Sequence, residues 1–149
     1  MFVSPRPESL ERLVYCSRAR VDTGSLQAIS EILGVSLRNN AREGLTGALA
    51  VNDGWFLQVI EGPGQAVDRL LRRLAADSRH ADIEILSRRP VSGRLFSDWA
   101  MVAARITPDV GPQLQRLIDE CRVAPEAAVD ALLRIVAERR AGLETGPAR

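Results

Sequence analysis

The chain has 149 residues, with 20 basic side chains against 19 acidic ones for a net charge of +1; every basic residue is arginine, and histidine and tyrosine occur once each, as His80 and Tyr15. A chain of this length predicts a single domain able to bury roughly two thirds of its unfolded surface without staples, and the absence of lysine removes Schiff-base and phosphate-loop-lysine chemistry. One histidine and two distant cysteines, Cys16 and Cys121, make neither a zinc site nor a disulfide framework, and the balanced charge argues against a dedicated nucleic-acid binder.

Residues 1–9 read as a flexible, proline-bearing leader without the apolar core of a signal peptide. Residues 10–16 read as a strand. A helix follows, with Leu26, Ile29, Ile32, Leu33 and Leu37 at helical spacing, Thr23 or Ser25 as its cap, and Gly44 as its stop. Residues 45–51 and 55–60 are strand-like runs joined by Asn52-Asp53-Gly54, a hairpin signal because these residues tolerate positive φ. The run Glu61-Gly62-Pro63-Gly64 should break the second strand. Val67, Leu70, Leu71 and Leu74 then mark one face of another helix, and residues 83–86 and 99–106 complete the strands.

The order β-α-β-β-α-β-β is that of an α+β, ferredoxin-like (split βαβ) fold: a five-stranded mixed sheet with two helices on one face. In such a sheet the first and third strands are central neighbours, which sets Tyr15 beside Gln58. A period of two puts Leu13, Tyr15 and Ser17 on one face of the first strand, and Phe56, Gln58 and Ile60 on one face of the third.

Residues 107–143 read as a helical extension. Leu114, Leu117, Ile118 and Cys121 form one stripe, and Pro125 opens a last helix as a first-turn proline. Along that helix Glu126, Asp130, Arg134 and Glu138 form a polar line, while Val129, Leu132, Leu133, Ile135 and Val136 spread round the rest. Two helices over the other face of the sheet would use part of this arc, and a second subunit could use the remainder, which predicts a homo-oligomer. Residues 144–149 should fray. No apolar run approaches the roughly 18 residues of a membrane span, so the expected setting is the cytoplasm.

Gln58 is the anomaly, since burying an amide without partners costs on the order of 1–3 kcal/mol. Read alone, it could be an edge glutamine facing water, Tyr15 an ordinary core aromatic, and Asn39-Asn40 a helical C-terminal turn. Six separated blocks in order carry more information: Leu13-Val-Tyr-Cys-Ser-Arg-Ala19, Arg38-Asn-Asn-Ala-Arg42, Gly44-Leu-Thr-Gly47, Phe56-Leu-Gln-Val-Ile-Glu-Gly62, Asp77-Ser-Arg-His80 and Phe96-Ser-Asp-Trp-Ala-Met101. Through these blocks residues 13–101 resemble the BLUF family, blue-light sensors that bind FAD non-covalently, which implies a flavin-binding domain over residues 10–106.

The resemblance implies that Tyr15 gives an electron and a proton to the excited flavin and that Gln58 sits between that phenol and the flavin. An amide suits this place because it carries both a donor and an acceptor that can exchange positions. Asn40 matches the asparagine at the polar edge of the ring, with Asn39 in the same turn. Trp99 and Met101 match the semi-conserved pair on the last strand, which is either core or part of the signal. Arg73, Asp77, Arg79 and His80 match the region near the outer part of the FAD, or else form a solvated helix end with a local ion pair. Ile32 and Leu49 are candidate walls for the ring. Cys16 should point to the opposite face and be inert.

The resulting expectation is a stand-alone photoreceptor without turnover chemistry, acting on a downstream protein through the last strand and the C-terminal helices. Nothing after residue 106 has the motifs of an output enzyme or a DNA-binding unit. The alternatives are an acylphosphatase-like hydrolase, supported by fold analogy alone, and a flavin-free adaptor.

Overall fold

The computed structural model describes residues 9–20, 26–52, 54–96, 102–105, 116, 118–120, 122–126, 129–130 and 133–134. Strand β1 (Leu10–Ala19) is lined on both sides, with Leu13, Val14, Tyr15, Cys16 and Ser17 all buried, as a central strand requires. Helix α1 (Leu26–Glu43) ends at Gly44, whose φ of +70° closes the helix without steric cost. Strands β2 (Thr46–Asn52) and β3 (Trp55–Pro63) form the expected hairpin, with Asn52 opposite Trp55 and Gly54 at φ +80°. Helix α2 (Gly64–Ala76), β4 (His80–Pro90) and β5 (Val102–Arg105) follow.

The sheet order is β4-β1-β3-β2-β5. The β4–β1, β1–β3 and β3–β2 pairs are antiparallel, while β5 adds to β2 in parallel. Tyr15 pairs with Gln58, and Gln58 pairs in turn with Leu49. Leu13, Tyr15, Leu49, Val51, Phe56 and Ile60 form one cluster with Ile32 of α1 and Ala66, Val67, Leu70 and Leu74 of α2. The odd-numbered face of β1 therefore meets the helices. At Gly47 a Cβ would run into the Val59 carbonyl, so the β2–β3 pair closes only on a residue without a side chain.

Several boundaries differ from the expectation: β1 runs on past Cys16 to Ala19, and β4 begins at His80 ahead of Ile83. Residues 61–63 extend β3 instead of breaking it, because the Glu61 side chain turns inward onto Arg12 and Gly62 leaves room for Leu45 and the Gly44 carbonyl. Strand β4 runs through the polar residues 87–90, held by β1, and β5, described over Val102–Arg105, falls inside the expected 99–106, whose remaining residues lie outside the described ones. Two register shifts separate β4 from a regular ladder, between Val14 and Tyr15 and between Cys16 and Arg18. At the second, Asp82 adopts φ +51°, a left-handed value that aspartate tolerates better than most residues.

The helix cap at Thr23 or Ser25, the leader through residue 8, and Trp99, Met101, Cys121 and the tail from 135 lie outside the described residues. The described residues at 116–123 and 125–134 are helical on either side of Ala124, with Pro125 opening the second run. Ile118 and Val129 are fully buried, and Arg122 binds Glu84, the register partner of Cys16. Arg122 thus reaches the sheet face opposite α1 and α2. Among the described residues no helix is long and apolar enough to cross a membrane.

Candidate functional site

Between α1, α2 and the sheet lies a cavity of about 260 Å³ lined by Tyr15, Ile32, Val35, Ser36, Asn39, Asn40, Leu49, Gln58, Leu70, Arg73, Leu74, Asp77, Arg79 and His80. Tyr15 and Gln58 form its floor, as cross-strand neighbours on the helix-facing side of the two central strands. The Tyr15 hydroxyl donates to Gln58 Oε1. Tyr15 is buried, and burial first, then the charge of Asp77, pushes its phenol well above the usual range, so it holds its proton.

Helix α1 supplies one wall. Ile32, Val35, Ser36, Asn39 and Asn40 recur every three to four residues and so share a face. Asn40 is buried and half-buried Asn39 lies beside it. The backbone there is fixed by Leu45 N–H donating to the Asn40 carbonyl at 2.8 Å.

The turn after α2 supplies the polar rim. Asp77 caps the helix and bends the chain back on itself, its Oδ1 accepting the Arg79 backbone N–H at 3.0 Å. The Arg79 guanidinium closes on the same carboxylate, with Nη2 2.7 Å from Oδ2 and Nε 2.9 Å from Oδ1. That bond, opposed by burial, holds the Asp77 carboxyl below its usual range and raises Arg79. The local pair and the cavity lining are thus one structure.

The bulged start of β4 turns His80 onto the face of Ala19, its register partner. There His80 Nδ1 and Ser17 Oγ share a hydrogen bond of 2.9 Å, and the ring lies against Phe56 with centroids 4.8 Å apart. Burial lowers the imidazole pKa against the opposing pull of Asp77, which favours the neutral ring.

Arg73 projects from α2 toward the end of α1, where its Nη1 meets Glu43 Oε1 at 2.9 Å, and Arg69 joins the same oxygen at 3.3 Å. Burial would raise the Glu43 carboxyl, but the two arginines outweigh it and hold it low. Arg73 Nη2 is buried without a hydrogen-bond partner. A guanidinium nitrogen left in this way beside a cavity suits an incoming anionic or carbonyl oxygen.

All ten residues named from the sequence as cofactor neighbours therefore surround one cavity. Sequence reasoning missed Val35, Ser36, Leu70 and Leu74 as lining, although the three- to four-residue spacing from Ile32 was available to find the first two. It also missed Glu43, which no local pattern marks. Trp55 sits under the Arg18 guanidinium at 4.8 Å and does not line the cavity. Cys16 is buried on the opposite face, where burial and then Glu84 push its thiol up, away from the reactive thiolate. No group of three or more histidine, cysteine or acidic side chains could hold a metal among the described residues.

The apolar walls with amides at one end suit a flat heteroaromatic ring that carries carbonyl and N–H edges. A family model described as BLUF, sensors of blue light using FAD, matches residues 10–102. The beta subunit of photoactivated adenylate cyclase from Euglena longa is 32% identical over 99 residues, which are 66% of this chain and 12% of that protein. Its counterpart from Euglena gracilis is 34% identical over 97 residues, 64% of this chain and 11% of that protein. The chain thus spans a small part of these relatives.

Among solved structures, the dark state of BlrB, a BLUF protein, superposes with a TM-score of 0.69 at 33% identity, covering 89% of this chain and 98% of that one. A bacterial light-regulated adenylyl cyclase gives 0.65 at 32% identity, over 78% of this chain and 36% of that one. With most of its described sheet, both helices and the cavity inside the matched region, this chain belongs to the BLUF family, the blue-light sensors that use FAD.

Proposed function

We propose that the flavin ring of FAD occupies the cavity between α1 and α2 and that Tyr15 and Gln58 carry the light response. The observation that supports this most directly is the Tyr15 hydroxyl donating to Gln58 Oε1 on the cavity floor. Asn40 and Asn39 would hold the polar edge of the ring, and Ile32 and Leu49 would wall its faces. Arg73, Asp77, Arg79 and His80 would shape the outer end. A volume of about 260 Å³ sits at the small end of ligand sites and suits the ring better than the whole dinucleotide.

Bound FAD supplies absorption of blue light and, once excited, an acceptor for an electron and a proton. Tyr15 is the phenol on the floor, with its proton held at Oη toward Gln58. Gln58 offers an acceptor at Oε1 and donors at Nε2, so turning the amide about its terminal torsion exchanges what it presents to the phenol and to the ring. That exchange rewrites hydrogen bonds and leaves covalent bonds alone, as a reversible sensor requires.

The β4-β1-β3-β2 order with α1 and α2 on one side supports the split βαβ, ferredoxin-like reading, with β5 as an added strand. We place the output in the last strand, with Trp99 and Met101, and in the helical extension of 107–143, acting on a downstream protein without turnover chemistry. The buried apolar residues Ile118 and Val129 support a role for the extension as cover for the sheet. The wide apolar arc expected there from the sequence supports self-association, and the buried Cys16 thiol suits a reducing cytoplasm.

The test is the absorption spectrum of the purified protein before and after blue light. A yellow protein whose absorption shifts reversibly to the red is expected. A colourless protein, or a yellow one with no reversible shift, overturns the reading.

A further inference from the structure

Glu61 lies three residues beyond Gln58 on β3, and its side chain is fully buried. Its carboxylate accepts from Arg12 Nε at 3.0 Å, from Leu95 N–H at 2.9 and 3.0 Å to its two oxygens, and from Phe96 N–H at 2.8 Å. The carbonyl of the same residue accepts from Arg94 Nη1 at 3.1 Å, and Arg94 also holds Thr46 Oγ1 at 2.9 Å and the Gly44 carbonyl at 2.7 Å. One residue of β3 therefore fixes three successive residues of the run that leaves β4 for β5.

The chain of charges continues outward. Arg12, itself 5% exposed, extends Nη1 to Glu126 Oε2 at 3.4 Å. The other Glu126 oxygen accepts from Arg89 Nε at 2.9 Å. Backbone N–H groups, Glu61, Arg12, Glu126 and Arg89 thus form one line from the strand of Gln58 to the helical residues past Pro125. A buried ion pair adds little stability over an apolar pair of the same shape, because desolvation offsets its attraction, whereas its directional bonds fix relative positions.

We propose that Glu61 is a positioning residue for the light response: it ties the Arg94–Phe96 run to β3, and through Arg12 it passes displacement of β3 to Glu126 and the C-terminal helical residues. This rests on the photoreceptor reading above. A small shift at Gln58 reaches Glu61 along a single strand, and the bonds at Glu61 are too specific to follow smoothly. They hold or exchange, which makes the line a joint with discrete positions.

The test uses the full flavin-loaded chain with the variants Glu61→Gln and Glu126→Gln, neither of which lines the cavity. Three quantities are read: the light-induced red shift, its dark recovery rate, and cleavage by trypsin at Arg122 and Arg134 in light and in darkness. In the unmodified protein, cleavage should differ between light and dark. Glu61→Gln should keep the red shift, change the recovery rate by about threefold or more, the scale of a modest coupling through a packed network, and abolish the light–dark difference in cleavage. Glu126→Gln, at the half-exposed end, should keep both the red shift and the fold while the cleavage difference collapses; it decides the matter if Glu61→Gln does not fold.

Variants that keep the cleavage difference and the recovery rate of the unmodified protein overturn the proposal, as does an unmodified protein that shifts to the red without any cleavage difference. An unmodified protein that does not shift at all overturns the photoreceptor reading instead.

Discussion

Removing one oxygen, by Tyr15→Phe, separates the structural work of the phenol from its chemistry. The ring keeps its place among Leu13, Leu49 and the helix residues, so no cavity opens. What is lost is the donor to Gln58 Oε1, in a place where Tyr15 is 1% and Gln58 6% exposed. Leaving a buried acceptor without its donor costs about 1–3 kcal/mol, which for a chain of this size lowers the melting temperature by about 2–10 °C. Gln58→Leu should cost a similar amount, because it strands the phenol instead.

The double variant removes both partners and should cost less than the sum of the two, with a coupling of about 1 kcal/mol or more in a double-mutant cycle. Urea unfolding at saturating FAD reads these energies, since unequal flavin occupancy would otherwise shift the apparent stability. On the same samples, blue light should produce no red-shifted photoproduct in either single variant, although both remain yellow. A Tyr15→Phe protein with a normal photoproduct, or strictly additive costs in the cycle, would refute the reasoning.

Four further outcomes are expected. Gly47→Ala should destabilise by about 1–3 kcal/mol, because the new methyl meets the Val59 carbonyl and the hairpin must open to admit it; the urea midpoint measures it. Arg73→Gln should weaken FAD retention by removing the buried, unpartnered Nη2, measured as release on dilution, and equal retention would count against a role at the outer end. His80 is held below its ordinary value near 6.5 by burial, so the unfolded chain takes up a proton that the fold resists. Stability should be complete above pH 6.5 and decline as the pH falls below it, a slope that His80→Gln should flatten; Asp77, also held low, adds its own loss only below about pH 4. Sedimentation should show self-association of the full chain, and a monomer at high concentration in both light and dark would exclude it.

The central pair was readable from local pattern, because a period of two and the strand order bring Tyr15 and Gln58 together before any side chain is placed. The α1 wall was half readable: Ile32 and Asn39-Asn40 were named, and the intervening Val35 and Ser36 follow from helical geometry alone. Glu61 was not readable. A carboxylate ahead of Gly62-Pro63-Gly64 looks like the end of a strand, and its burial depends on Arg12 and on the Leu95 and Phe96 amides, far away in sequence. For the same reason residues 87–90, polar and closed by a proline, resemble a loop until β1 supplies their hydrogen bonds. The bulge at Asp82 likewise has no local signature, although it is what turns His80 toward Ser17.

The two register shifts in β4 have a consequence beyond the cavity. At 11 residues β4 is a long strand at the margin of the sheet, with Ile85 half exposed, and a flat ribbon of that kind would invite other chains to add to it. Here the two irregularities break the row of outward N–H and C=O groups, Arg88 and Arg89 place charge along it, and Pro90 removes a donor at its end. This margin is a poor template for strand addition, so the protein should not form fibres even at high concentration, and a partner that recognises this margin should do so through side chains.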